Sequence, residues 1–408
     1  MNRPRLGCGT HLLIAFGLFV VAVGVIAYQN RDTVSMMWAN VTAMNEGMAL
    51  TEELRYPEDV LDYLAAHPES TSLVAYDVGR TDQGIAFQAE DTRAMVNLSN
   101  IVVLTAYADA VASGTLDAAE RVPVADVSRR TLPGVNAQPH QRTLDYWERE
   151  GALDADSTVA VSDLAQAVAR FNDAPSFDWL IDALGRPVLE DQTTAMGFSV
   201  DALPMPKSGL YLEWAEAAPA LRSRSDTPQP VSTEAVYAAA SRYAADTTYA
   251  REVRDRFRAQ GTNLTLSDQR LMAQGTLPRT TAQTMADVLG GMASATPPDP
   301  RAEAFAMLDR SAGLDTLTVG IERVASKGGA MPGVISFAGV AHYAEDRPPR
   351  VVVVFMEDVP LAVFYHLLQS GLDQGLGLQL MGDDAFFERA RERLSIRDEP
   401  TEPIASGP

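Results

Sequence analysis

Lysine and cysteine, two residue types that commonly act as bases or nucleophiles in enzymes, are scarce in this 408-residue chain. Of its 33 basic residues only Lys207 and Lys327 are lysines, and Cys8 is the single cysteine. Lys327 is followed by Gly328 and Gly329. A lysine at the end of a strand can hold a carboxylate, and glycines allow a ligand to approach the backbone closely. The alternative is a lysine in a glycine-rich hairpin turn.

Two asparagines and a serine begin a long predicted helix at residues 97–113, which Gly114 closes. Asn97 and Asn100 are three residues apart and lie on one face of that helix. An amide is neither a useful nucleophile nor a general base near neutral pH. Ser99 lies on a different face, and its hydroxyl is predicted to bond to the backbone at the start of the helix.

Strand patterns occur at both ends of the chain, with helical patterns between them. The predicted strands cover residues 72–78, 84–88, 317–326, 333–343 and 350–356, the last three as an antiparallel meander. The predicted helices cover residues 97–113, 162–171, 177–184, 233–260 (as one helix or a pair), 280–292, 301–308, 359–372 and 385–394. Residues 199–232, rich in Pro, Ser and Gly, are predicted to form a long surface loop. This order indicates an α+β fold, with one antiparallel sheet assembled from both ends of the domain around an inserted helical subdomain.

Three segments of the chain, residues 94–122, 161–185 and 322–343, together resemble the class A β-lactamase and penicillin-binding serine hydrolase family. Members of that family carry S-x-x-K at the start of a buried helix, S-D-N in the helical subdomain and K-T-G on a strand. The resemblance covers about residues 56–395. It implies a β-lactamase/transpeptidase-like fold and acyl transfer through a serine.

The positions that the resemblance implies for catalysis carry altered side chains. Asn97 stands at the serine and Asn100 at the lysine of S-x-x-K, and Asn172 stands at the serine of S-D-N. Asp173 is kept, although Asn172-Asp173 is also typical of an ordinary turn. The third motif survives best, with glycine in place of threonine. The resemblance therefore implies a ligand cleft formed by Asn97, Asn100, Asn172, Asp173, Lys327, Gly328 and Gly329.

Two hypotheses about function remain open at this point. The first is a membrane-anchored β-lactamase-like protein that is inactive as an acyl-serine hydrolase. It would act in the cell envelope as a binding or regulatory module for a peptidoglycan peptide or an envelope protein. Removing a serine nucleophile costs about 10⁶ in rate. The alternative is an active serine hydrolase of the β-lactamase or D,D-peptidase type, which would use Ser99 as its nucleophile and act on β-lactams or peptidoglycan peptides through an acyl-enzyme.

An uncharged apolar run at residues 12–28 predicts a single membrane-spanning helix, about 26 Å long. Arg3 and Arg5 precede it, so the positive-inside rule places the main domain in the periplasm or outside the cell. A cleaved signal peptide is the alternative. The predicted order is a cytoplasmic tip, an inner-membrane anchor, a connector, one domain and a disordered tail, at residues 1–11, 12–28, 29–55, 56–395 and 396–408.

The overall composition excludes several other functional classes. The formal net charge of −21 repels phosphate backbones, so no nucleic-acid partner is expected. One cysteine cannot form an internal disulfide framework or a cysteine-based zinc site. The five histidines lack the spacing of metal ligands, so neither a metal nor a cofactor is predicted.

Overall fold

The computed structural model describes residues 31–223, 231–310, 320–344 and 347–395. The predicted membrane anchor at residues 12–28 and the predicted tail at residues 396–408 lie outside these ranges. Within the described ranges, no helix is both long enough and apolar enough to cross a membrane.

The described residues form nine strands and a larger set of helices. The strands are β1 Thr71–Asp77, β2 Ile85–Phe87, β3 Thr92–Ala94, β4 Arg121–Pro123, β5 Thr158–Ala160, β6 Arg279–Thr281, β7 Ile321–Met331, β8 Val334–Tyr343 and β9 Arg350–Met356. The helices are α1 Arg31–Asn45, α2 Met48–Thr51, α3 Pro57–Ala66, α4 Asn100–Ala112, α5 Val124–Ser128, α6 Ala137–Glu150, α7 Val161–Phe171, α8 Ala174–Leu184, α9 Arg186–Ala195, α10 Lys207–Ser223, α11 Thr233–Ala245, α12 Thr247–Gln260, α13 Leu266–Thr276, α14 Ala282–Ser294, α15 Pro300–Met307, α16 Leu361–Ser370, α17 Leu372–Gly382 and α18 Asp384–Ser395.

The main sheet has five strands in the order β2-β1-β9-β8-β7, and each neighbouring pair is antiparallel. β1 pairs with β9 from Thr71 opposite Met356 to Asp77 opposite Arg350, which joins the two ends of the folded chain. Most of the helices come from the sequence between β2 and β7. The prediction of an α+β fold with one antiparallel sheet drawn from both ends is therefore confirmed.

Both faces of the main sheet are covered by helices, which explains why β9 is buried along its whole length. Successive side chains of a strand point to opposite faces. Val353 accordingly packs into a core that includes residues of α4, α7, α8 and α14. Val354 packs into a second core with residues of α3, α16, α17 and α18. A strand buried on both faces is a continuous apolar run, as RVVVVFM is.

The prediction of a long surface loop at residues 199–232 is wrong, because α10 begins at Lys207 and continues to Ser223. Its start is fixed by a distant side chain, since the carboxylate of Asp178 accepts hydrogen bonds from the backbone N–H groups of Lys207 (2.6 Å) and Ser208 (2.8 Å). Trp214, fully buried, packs this helix into the protein. The composition of residues 199–232 could not reveal this helix, because the residue that caps its start, Asp178, lies on α8.

The strand that carries Lys327 is longer than predicted. β7 continues to Met331 and pairs with β8 through Lys327 opposite Ala338 and Gly329 opposite Ser336. The turn between the two strands contains Gly333 in a left-handed conformation, with φ of 77°. Lys327 therefore lies within the strand, and the alternative of a lysine in a hairpin turn is wrong.

The helices that precede the predicted domain pack against it. The backbone N–H of Leu266 in α13 donates to Oδ1 of Asn40 in α1, at 2.9 Å. Ala362 N in α16 donates to the carbonyl of Glu46, which follows α1, at 3.3 Å. Glu46 also forms an ion pair with Arg270 of α13, at 2.8 Å. The segment predicted to be a connector thus lies on the surface of the domain from residue 40 onward.

Candidate functional site

A tight turn at Val96–Ser99 lies directly ahead of α4 and against β7. Val96 is held in the left-handed region, with φ of 50°, a conformation that is strained for a β-branched residue. A Cβ added to Gly329 would lie 2.6 Å from the backbone nitrogen of Asn97. Glycine at position 329 therefore allows the turn to rest directly on the strand. The glycines after Lys327 were expected to let a ligand approach the strand backbone closely. At Gly329 that space is occupied by the backbone of Asn97.

A cleft of about 440 Å³ opens where this turn, the end of α7 and the outer edge of β7 meet. Five residues predicted to form a ligand site line this cleft, namely Asn97, Asn172, Lys327, Gly328 and Gly329. Residues that were not predicted line it as well, including Arg170, Arg310, Ser326, Asp373 and Gln374. The remaining predicted residues, Asn100 and Asp173, lie behind this surface and are almost completely buried.

Asn100 is bound to a second asparagine. Its Nδ2 donates to Oδ1 of Asn172 at 3.2 Å and approaches the carbonyl of Val168 at 3.5 Å. Asn172 ends α7 in a left-handed conformation, with φ of 56°, which asparagine tolerates well. The Oδ1 atom of Asn100 is buried and has no hydrogen-bond partner among the described residues. At the two positions where the resemblance implies a lysine and a serine, the protein has two amides bonded to each other.

Lys327 is 2% exposed, and it binds the end of α7. Its Nζ donates to the carbonyls of Val168 at 2.7 Å and Ala169 at 2.8 Å, and Arg310 also donates to the carbonyl of Ala169. These carbonyls belong to the last turn of the helix, where a cation is favoured by the helix dipole. Burial, followed by the charges of Arg310 and Lys207, holds the pKa of Lys327 well below its usual value.

Lys207 was not predicted to be part of the site, yet it reaches the same place. From the start of α10 its Nζ donates to the carbonyl of Val96 at 3.3 Å, and it lies 5.3 Å from the ring centroid of Phe177. Burial lowers the pKa of Lys207 to about 8, although the charge of Asp178 opposes the shift. The scarcity of lysine was the available signal. The two lysines of the chain, far apart in sequence, influence each other's charge at one site.

The hydroxyl of Ser99 does not enter the cleft. Ser99 is fully buried, and its Oγ donates to the carbonyl of Val96 at 2.9 Å. The predicted backbone hydrogen bond of this hydroxyl is therefore confirmed. Ser326 does line the cleft, but it precedes Lys327 on β7 and so lies on the opposite face of the strand.

Asp173 points away from the cleft, although its neighbour Asn172 lines it. Its carboxylate accepts hydrogen bonds from the backbone N–H of Ser176 at 3.0 Å and from the Ser176 hydroxyl at 2.6 Å, which caps the start of α8. It is also within 2.9 Å of Nδ1 of His140. Burial would raise the pKa of Asp173, but the hydrogen bonds and charge of His140 and the bonds of Ser176 hold it below its usual value.

Solved structures similar to this chain include β-lactamases and a protein named PBP-A. A β-lactamase from Sphaerobacter thermophilus is 17% identical, with a TM-score of 0.46, and the match covers 78% of this chain and 97% of that one. A class A β-lactamase of the last common ancestor of Gram-negative bacteria is 14% identical, with a TM-score of 0.47 and coverage of 81% and 98%. PBP-A is 14% identical, with a TM-score of 0.46 and coverage of 79% and 94%. No family model and no curated protein matches the chain.

The side chains of the cleft favour the binding of an anion. Among the described residues that line it, Arg170, Arg310 and Lys327 are basic, and Asp373 is the one carboxylate. Burial raises the pKa of Asp373 above its usual value. Basic side chains concentrated in a concave site attract anions even when the protein as a whole carries a net charge of −21.

Proposed function

We propose that this protein is a relative of the class A β-lactamases and penicillin-binding proteins whose cleft beside β7 is inactive as an acyl-serine hydrolase site, and that this cleft binds an anionic ligand of the cell envelope. One observation carries this proposal, the hydrogen bond of 3.2 Å between Nδ2 of Asn100 and Oδ1 of Asn172. Acyl transfer at this place needs a hydroxyl nucleophile with a proton acceptor beside it. Neither amide can act as that acceptor near neutral pH.

The hydroxyl groups near the cleft support the same proposal. Ser99 is buried and donates to the backbone, and Ser326 lies on the far face of β7 from Lys327. Lys327 has two of its three donor positions occupied by carbonyls of α7, so it stabilises the wall of the cleft. A cleft that retains its shape and charge without a nucleophile is suited to binding.

The ligand class follows from the charge of the cleft. Arg170, Arg310 and the amide of Asn97 line a volume of about 440 Å³, which is of the size that holds a small molecule or a peptide end. Arginine binds carboxylates through paired hydrogen bonds, and Arg310 is half-buried at this site. We infer that the ligand carries a carboxylate, as the C-terminal end of a peptidoglycan peptide does.

The cellular location is part of the proposal and is supported by the sequence alone. The apolar run at residues 12–28 and the basic residues Arg3 and Arg5 before it favour an inner-membrane anchor with the domain in the periplasm or outside the cell. In that location the cleft would act as a binding or regulatory module for a peptidoglycan peptide or for an envelope protein.

The test uses the full-length protein in detergent. A fluorescent penicillin should form no covalent band on a denaturing gel. A peptide ending in D-alanyl-D-alanine should bind reversibly. The same peptide with its C-terminal carboxylate converted to an amide should bind at least 5-fold more weakly. The Arg310→Gln variant should bind the unmodified peptide at least 5-fold more weakly. A covalent band that disappears in Ser99→Ala would show that the cleft is an active serine hydrolase. Equal binding of the acid and the amide would overturn the assignment of the ligand.

A further inference from the structure

A hydrogen-bonded row of three side chains lies outside the set of residues that lines the cleft. Oγ of Ser128, the last residue of α5, lies 2.8 Å from Nε2 of His140 on α6. Nδ1 of the same imidazole lies 2.9 Å from Oδ1 of Asp173. The three residues are therefore in the order hydroxyl, imidazole and carboxylate, with each pair within hydrogen-bond distance.

The ionised state of Asp173 determines which atoms of the three residues carry the hydrogen-bonding protons. The hydrogen bonds of His140 and Ser176 outweigh burial and hold the pKa of Asp173 below its usual value, so the carboxylate is ionised near neutral pH. An ionised carboxylate can only accept hydrogen bonds, so Nδ1 of His140 carries the proton. In the neutral imidazole Nε2 is then an acceptor, and the hydroxyl of Ser128 donates to it.

The burial of the three side chains increases from Ser128 through His140 to Asp173. Ser128 is half-exposed, His140 is 3% exposed and Asp173 is fully buried. The imidazole is also held by Trp147, whose ring meets it edge to face with centroids 6.3 Å apart. The carboxylate is fixed by its two hydrogen bonds from Ser176. The base is thus oriented by the protein, and the hydroxyl is reachable from outside.

Ser128 and His140 line an open surface pocket of about 560 Å³. Arg129, Arg254 and Arg258 line it too, and none of the described lining residues is acidic. The other lining residues are Thr131, Pro133, Ala137, Gln141 and Leu144.

The three arginines of this pocket are not equivalent. Arg129 forms an ion pair with Asp126, and Arg258 forms one with Asp255 at 3.0 Å. Arg254 donates to the carbonyl of Arg129 at 3.3 Å, and within the described part of the chain no carboxylate forms an ion pair with it. The guanidinium of Arg254 also lies 5.8 Å from the ring centroid of Tyr243, so its charge is held beside the pocket without a carboxylate partner among the described residues.

We propose that Ser128, His140 and Asp173 form a hydrolytic site for anionic carboxylic esters, separate from the cleft beside β7. As the Ser128 hydroxyl gives its proton to Nε2 of His140, its Oγ forms a bond to the ester carbonyl carbon. The carbon–oxygen bond to the alcohol then breaks, and His140 gives the proton to the departing alcohol oxygen. A water molecule, deprotonated by the same imidazole, hydrolyses the acyl-serine to a carboxylic acid and restores Ser128.

The roles of the three residues differ. Ser128 and His140 touch the reacting atoms and are catalytic residues. Asp173 acts through the imidazole and is a positioning residue. Arg254 attracts the negative charge of the substrate, which gives a preference for anionic esters over neutral ones of the same shape.

The test uses the full-length protein and two esters, mono-4-nitrophenyl terephthalate, which is anionic, and 4-nitrophenyl benzoate, which is neutral. Hydrolysis should fall at least 100-fold in Ser128→Ala and in His140→Asn, whose amide can still donate to Asp173. Ser162→Ala, a change at another half-exposed helical serine, should leave the rate unchanged. Arg254→Gln should reduce the preference for the anionic ester at least 5-fold.

A fluorophosphonate probe gives an independent measurement, because it forms a covalent bond with an activated serine. Mass spectrometry should place the adduct on Ser128 in the unmodified protein and find none there in His140→Asn. Absence of both hydrolysis and labelling in the unmodified protein would overturn the proposal. So would an adduct on another serine that accounts for the hydrolysis, or full activity of Ser128→Ala. Because Ser128 is half-exposed, its variant is expected to fold, and circular dichroism checks that it does.

Discussion

Asn100 and Lys327 donate to the same acceptor, the main-chain carbonyl of Val168, at 3.5 Å and 2.7 Å. Asn100 begins α4, whereas Lys327 lies on β7, so one carbonyl at the end of α7 joins the helical part of the protein to the edge of the sheet. A neutral amide and a lysine can share this acceptor. A lysine at position 100 would place a second buried amine there, and burial disfavours the charged form of both amines.

We expect Asn100→Lys to lower the free energy of unfolding by about 2–3 kcal/mol at pH 7, since it places a cation in a buried site beside Lys327. The new amine would have a depressed pKa in the folded state. Its cost should therefore decrease as the pH rises from 7 to 9, because the amine becomes neutral. Urea unfolding followed by tryptophan fluorescence at both pH values measures this effect.

Ser113→Lys is the matched control for that substitution. Ser113 is exposed at the other end of the same helix, where a cation is favoured, and its replacement should change stability by less than about 0.5 kcal/mol. If Asn100→Lys were as stable as this control at pH 7, position 100 would accept an ammonium after all. Charge would then not explain why this position is an asparagine.

Two neighbouring glycines of β7 should differ in their tolerance of alanine. A Cβ at Gly329 would lie 2.6 Å from Asn97 N, whereas a Cβ at Gly328 would find its nearest neighbour, the carbonyl oxygen of Ser336, at 3.9 Å. Gly329→Ala should therefore cost about 1–3 kcal/mol by overpacking. Gly328→Ala should be nearly neutral, because it has room and restricts the unfolded chain. Thermal unfolding of the two variants makes the comparison, and equal melting temperatures would contradict the contact.

The sequence could predict the parts of the site that local patterns determine. Lys327-Gly328-Gly329 directly follows a strand pattern, and Asn97 and Asn100 belong to a helix start, so their approximate positions followed from periodicity and from the family resemblance. Lys207 could not be placed in this way, because its helix begins where the carboxylate of Asp178 caps it. A cap supplied from another element leaves no local signal.

The second site was beyond sequence analysis for a related reason. Ser128 and His140 come from two helices and Asp173 caps the start of a third, and their order and spacing match no local motif. A hydroxyl, an imidazole and a carboxylate are recognised as a unit by geometry rather than by sequence position. Asp173 was identified only through its resemblance to S-D-N, which gave no indication of its contact with His140.

The stability of the protein should rise with pH through the titration of Lys207. Its pKa is about 8 in the folded protein, and the ordinary pKa of a lysine side chain is 10.5, so between these values the unfolded chain binds more protons than the folded one. Unfolding then becomes less favourable as the pH rises. From pH 8 to pH 9.5 this group should add about 1–2 kcal/mol to the free energy of unfolding.

Lys207→Met is the variant that isolates this contribution, since methionine retains most of the apolar contact with Phe177 and cannot titrate. Between pH 8 and pH 9.5 its free energy of unfolding should rise by about 1–2 kcal/mol less than that of the unmodified protein. Urea unfolding at pH 8 and pH 9.5 measures the difference. An identical rise in the two proteins would mean that Lys207 titrates normally and that its amine is solvated.

Asp173→Asn should abolish the reactivity of Ser128 while the fold is retained. The side-chain oxygen of asparagine can still accept from Ser176, but its NH₂ group then faces Nδ1 of His140. Nδ1 becomes the acceptor, so Nε2 carries the proton and no longer accepts that of Ser128. Labelling by a fluorophosphonate should fall by about 10³–10⁴ across the pH range 6–9, as expected for the wrong tautomer.

Ser176→Ala, which removes a different hydrogen bond to the same carboxylate, should reduce labelling less than 10-fold. If Asp173→Asn were labelled as rapidly as the unmodified protein, the carboxylate would not determine the tautomer of His140, and its contact with the imidazole would be purely structural.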